Sequence, residues 1–140
     1  MEDKNKITVQ VSIDSTLETV WNKWNDPKDI TKWYNASDDW YTPKAENDLK
    51  VGGKFNYRME AKDGSFGFDF HGAYTEVKPH EYLAILLGDG RKMNVIFENI
   101  KNKISVTENF EPENENSKKL QQQGWQAILN NFKKYVEQKS

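Results

Sequence analysis

The stretch Gly124 to Gln138, GWQAILNNFKKYVEQ, constrains this chain most. Apolar side chains recur at Trp125, Ile128, Leu129, Phe132, Tyr135 and Val136, the spacing of one face of a helix about three turns long. The remaining positions, Gln126, Asn130, Lys133, Lys134 and Glu137, are polar and predict a solvated face. An apolar stripe this wide and aromatic must lie on something of equal width. The middle of the chain supplies it as a series of short alternating segments.

Ile7, Val9, Val11 and Ile13 alternate with polar residues and predict a half-buried strand. Ser15, followed three residues later by Glu18, reads as a capping box opening a helix with Leu17, Val20, Trp21 and Trp24 on one face. Asp26-Pro27 ends it and caps a second short helix running to Trp33 or Tyr34. Trp40 and Tyr41 fall in a short strand or a loop, and Pro43 argues against a central strand there.

Gly52-Gly53 reads as a bend preceding a strand with Phe55, Tyr57 and Met59 on one face. Lys62-Asp63-Gly64-Ser65 is a hairpin turn into a strand that aligns Phe66, Phe68, Phe70 and Tyr74. Tyr82 to Leu87 is nearly continuously apolar, as expected of a strand covered on both sides or lying under helices. After Asp89-Gly90 come Met93, Val95 and Phe97. After a turn at Asn102 come Ile104, Val106, Glu108 and Phe110. Ser117 is a candidate cap for the last helix. Hairpins in series, segregated from the helices, indicate an α+β domain, a curved antiparallel sheet wrapped around the terminal helix.

Composition sets outer bounds. At 140 residues the chain reads as one domain, 1–140, able to remove roughly two-thirds of its extended surface from water. Hydrophobic residues are only 36%, but aromatics reach 13% and sit at periodic positions, so large rings build the core. A net charge of -2 with no basic stripe argues against nucleic acid. The absence of cysteine excludes disulfides and thiolate chemistry. The first residues lack the apolar core of a signal peptide, and no run is long enough to span a membrane. A cytoplasmic setting is expected.

In order and spacing the chain resembles the helix-grip fold of the START-like (SRPBCC) superfamily. Within it, the chain is most similar to the group of activator of heat-shock protein 90 ATPase homologues. The resemblance rests on Thr19-Val20-Trp21, on Asn25-Asp26-Pro27 with Trp33 soon after, and on Leu49 to Phe55. It rests also on Gly72, on Glu76-Val77-Lys78-Pro79 ahead of Tyr82-Leu83, and on Gly124-Trp125 with Leu129 and Phe132. It covers nearly the whole chain. It implies a sheet of about seven strands, two short helices after the first, and a cavity between sheet and last helix for an apolar or amphipathic small molecule. Functions within the superfamily differ widely, so the fold does not fix the function. The chaperone activators carry a further N-terminal domain with an Asn-, Trp- and His-rich signature. This sequence has no such motif, which counts against a chaperone partner.

The candidate binding residues are Trp33, Trp40, Phe55, Tyr57, Met59, Phe68, Phe70, Tyr74, Val95, Phe97, Glu108, Trp125 and Leu129. Such rings serve equally as plain core. The Tyr57 and Tyr74 hydroxyls, Glu108 and Asn99 are the polar groups a cavity would use. A buried Glu108 must pair, hold its proton or reach solvent, and in the last case it sits at the sheet rim. His71 and His80 lack metal-ligand spacing, and Gly52-Gly53-Lys54 lacks the phosphate-loop pattern. No catalytic triad, carboxylate pair, metal site or cofactor motif emerges. The expectation is a binding protein, with a cyclase- or hydrolase-like enzyme or a chaperone-regulating module as alternatives. A homodimer stays open.

Overall fold

Period-two alternation in the sequence becomes a seven-stranded antiparallel sheet in a computed structural model that describes residues 6–138. The elements are β1 (Ile7–Ile13), α1 (Leu17–Asn25), α2 (Pro27–Trp33), β2 (Trp40–Asn47), β3 (Lys54–Ala61), β4 (Gly67–Lys78), β5 (Tyr82–Leu87), β6 (Lys92–Ile100), β7 (Lys103–Phe110) and α3 (Lys118–Glu137). The strand order is β1-β7-β6-β5-β4-β3-β2, so β1 and β2 form the two edges. Irregularities between Tyr41 and Lys44 and between Tyr74 and Glu76 interrupt the ladders. Such bulges bend a strand and strengthen its twist. Pro43 falls inside the first of them, on an edge strand, where a missing N–H costs no ladder bond.

Local chemistry sets the element ends. The first helix is capped by Thr16, not Ser15: Thr16 Oγ1 accepts from Thr19 N at 3.2 Å. The Ser15 N–H is already used in a turn to the Ile13 carbonyl. Asp26 caps α2 with Pro27 in its first turn, and Ser117 caps α3, both as expected. The last helix begins at Lys118, directly after that cap, so Gly124 lies inside it. The two residues of the β6–β7 turn, Lys101 and Asn102, both take positive φ, as a two-residue hairpin requires. Gly52, with φ +84, belongs to the β2–β3 turn, and a Cβ on Gly53 would fall 2.0 Å from the Asp48 carbonyl oxygen. The pair therefore makes a turn ahead of the strand.

All three helices cover one face of the sheet. Leu83, Ile85 and Leu87 of β5 are buried, while Leu86 is 42% exposed. The apolar run in β5 is thus covered on one side only, because no layer packs on the other. Trp24, Trp33, Phe97 and Phe132 meet edge-on or tilted at 4.5–5.8 Å and lock α1, α2 and α3 to β6.

The polar flank of α3 does more than meet water. Gln126 Nε2 donates to the Gln10 carbonyl at 3.1 Å, and its Oε1 accepts from Gln10 N at 3.4 Å. Lys133 Nζ donates to the Ser12 carbonyl, and Glu137 accepts from Asp14 N, both at 2.8 Å. Gln122 reaches the Thr8 carbonyl at 3.5 Å. Positions 122 to 137 of a helix span about 22 Å. Positions 8 to 14 of a strand span about 20 Å. Helix and strand therefore run in step, and side chains occupy backbone groups that an edge strand otherwise leaves open.

Candidate functional site

The sheet's apolar face does not meet α3 across one large void. Two spaces of different size lie on that face, an outer one against α3 and an inner one lined by strand residues with Trp24 and Tyr34. The outer one, about 300 Å³, opens between the β3–β4 end of the sheet and the first half of α3. Met59, Phe68 and Phe70 form its sheet side, Tyr34 and Trp40 the α2–β2 side, and Trp125 with Ile128 the helix side. Trp125 is held by stacking on Phe110, with centroids 3.7 Å apart and planes 13° from parallel, and it presents its edge to Phe70. Polar groups gather at the rim. Gln121 is buried and ties α3 to the preceding loop through the Glu113 and Asn116 carbonyls. Arg91 reaches the Glu111 carbonyl and Asp89.

The inner space is only about 20 Å³. That holds one water. Glu108 borders it, 3% exposed, with Tyr57, Tyr74, Phe55 and Val95 among its neighbours. Alternation along β7 puts Glu108 on the buried face between Val106 and Phe110, and its cross-strand partners are Val9 and Val95. Among the described residues no ion pair and no hydrogen bond to its carboxyl is found, although the Tyr34, Tyr57 and Tyr74 rings border the same space. Burial therefore governs its charge and pushes its pKa up to about 8, so Glu108 is mostly neutral at pH 7. Burial also raises Tyr34, Tyr57 and Tyr74 above the ordinary phenol value. The Tyr74 hydroxyl donates to Asn47 Oδ1 at 2.5 Å.

The expected site residues thus divide. Trp40, Met59, Phe68, Phe70 and Trp125 line the outer pocket, and Phe55, Tyr57, Tyr74, Val95, Glu108 and again Phe70 the inner space. Trp33, Phe97 and Leu129 line neither: they are at most 3% exposed and serve as core. Trp33 also donates its indole N–H to the Lys23 carbonyl. Phe66, expected on the aromatic wall, is 60% exposed because the strand starts after it. Asn99 lies exposed near the β6–β7 turn. Among the described residues no cluster of His, Asp or Glu could hold a metal.

Sequence reasoning missed Tyr34, Gln121, Gly124 and Ile128 in the pocket wall. Reading the apolar stripe only from Gly124 onward hid the signal. Extended one turn back, positions 121, 124, 125 and 128 share a face, with a glycine where a helix favours almost any other residue.

A family model described as "Activator of Hsp90 ATPase homolog 1-like protein" matches residues 14–137. The solution structure of an AHSA1-like protein from Aeromonas hydrophila is 45% identical, covering 94% of this chain and 92% of its own, with a TM-score of 0.88. A solution structure from Cytophaga hutchinsonii is 49% identical over 95% and 92%, with a TM-score of 0.84. The Aha1 dimer from Colwellia psychrerythraea shares the fold at 14% identity, with a TM-score of 0.73 over 94% and 96%. No curated protein matches the chain.

Proposed function

The chain belongs to the Activator of Hsp90 ATPase homolog 1-like family, and from that premise we propose that it binds an apolar or amphipathic small molecule between the sheet and α3. The observation that carries this reading is the outer pocket. At about 300 Å³ it matches the lower end of small-molecule sites. Aromatic rings wall it, and Arg91, Glu113 and Gln121 stand at its rim. Desolvation of the ligand against the rings supplies affinity, and the rim groups orient it. The chain acts as one domain, and a dimer would use a surface other than β1, whose edge α3 already covers.

A second reading has one observation in its favour. A carboxyl that holds its proton near neutrality is suited to acid–base work, as in a cyclase or hydrolase. The inner space that Glu108 borders has room for a group the size of one water and not for a whole substrate, which favours binding over catalysis.

Native mass spectrometry of protein purified from cells tests the first reading, paired with an NMR titration using an apolar fluorophore. A retained small molecule, or shifts concentrated at the Trp125 indole, Gly124 and Ile128, is the expected result. Shifts scattered over the surface, with nothing retained, would sink it.

A further inference from the structure

The inner space identifies what kind of head group the ligand carries, an inference that rests on the small-molecule reading above. Six rings border the space, those of Trp24, Tyr34, Phe55, Tyr57, Phe70 and Tyr74. The one carboxyl among them, Glu108, is 97% buried, and no ion pair to it is found among the described residues. Ring faces carry negative potential and attract a cation most strongly where water is excluded. An alcohol or carbonyl gains a neutral hydrogen bond from the carboxyl or a phenol, weaker than a charge-assisted one. An anion is repelled by it. A cation gains from the rings and the carboxylate together.

Size and connection narrow the class further. A space of about 20 Å³ takes a group the size of water, which a primary ammonium matches. Tyr34 and Phe70 line both spaces, and their rings stack at 5.9 Å. They form a shared wall, and half-buried Phe70 stands on its outer side. We propose that this protein binds a lipophilic primary amine, its ammonium between Glu108 and the ring cage and its hydrocarbon passing Phe70 into the outer pocket.

The protons balance as follows. Near pH 7 the free protein carries Glu108 as the acid and the free ligand is an ammonium ion. On binding, the carboxyl proton leaves to solvent and the carboxylate–ammonium pair stays behind, so one proton is released per ligand. Tyr34, Tyr57 and Tyr74 are the other titratable groups turned towards the space, and burial keeps them protonated. From α1, β5 and β6 only apolar side chains face it.

The test is calorimetric titration with n-octylamine, n-octanol and n-octanoate in buffers of different ionisation enthalpy. Octylamine is expected to bind at least tenfold tighter than octanol. It should release nearly one proton at pH 7 and almost none at pH 9. Glu108→Gln is expected to bind octylamine and octanol alike. Octylamine no tighter than octanol, or no proton released at pH 7, overturns the amine assignment and leaves the pocket reading standing. Failure of all three probes to bind overturns both. Should Glu108→Gln not fold, the proton count on the wild-type protein decides.

Discussion

Replacing Glu108 by Gln should change how stability depends on pH. The folded carboxyl titrates at about 8, against an ordinary value of 4.5. Below pH 4.5 both folded and unfolded chains hold the proton, and burial carries no ionisation penalty. Between 4.5 and about 8 the unfolded chain has released it while the folded chain keeps it. The unfolded state then binds fewer protons, so stability falls as pH rises, by up to about 1.4 kcal/mol per pH unit. Above about 8 both states are ionised and the loss levels off. The window of 3.5 units, 8 minus 4.5, amounts to at most about 5 kcal/mol. That is comparable with the whole stability of many domains. Gln keeps the shape without the titration. Urea unfolding of both proteins from pH 4.5 to 8.5 should give curves that converge at the acid end and diverge steadily towards pH 8, with Gln the more stable. Other carboxyls, such as Glu113 and Glu137, are held low by hydrogen bonds and lose their contribution only as pH falls, equally in both proteins. Parallel curves would mean that Glu108 reaches solvent or a partner, and the assigned burial would be wrong.

Four further substitutions test the pocket wall, the covered β1 edge and the first helix cap. Gly124→Ala should raise stability by about 1 kcal/mol, the gain of alanine over glycine within a helix. Its Cβ meets nothing within 4 Å but enters the outer pocket, so the same variant should bind pocket ligands more weakly, measured by denaturant titration and calorimetry side by side. Gln126→Ala removes both bonds to Gln10 and should cost roughly 0.5–1.5 kcal/mol. It should also speed aggregation, followed by light scattering, because it uncovers the β1 edge. Thr16→Ala should cost about 1 kcal/mol, and Ser15→Ala less than about 0.5 kcal/mol. The reverse order would return the cap to Ser15.

Periodicity made the strands and helices readable, because each element's side-chain period is a property of its own backbone. Alternation along β7 put Glu108 on the face of Val106 and Phe110 but left a position at the solvated rim open, and the structure buries it. The Asp26-Pro27 stop and the Ser117 cap were legible for the same local reason. What the chain could not disclose locally was depth. Trp33 and Trp40 look alike as sequence, yet one is sealed in the core and the other lines a pocket, because only packing among three helices decides which ring is left a free side. Gln126, Lys133 and Glu137 read as solvated, and tertiary structure instead lays them along β1, since edge backbone groups are satisfied by whatever element runs in step beside them. The size of the two spaces belongs to that same level: side-chain volumes are written in the chain, but the gaps between them exist only once the sheet has curved over the helix.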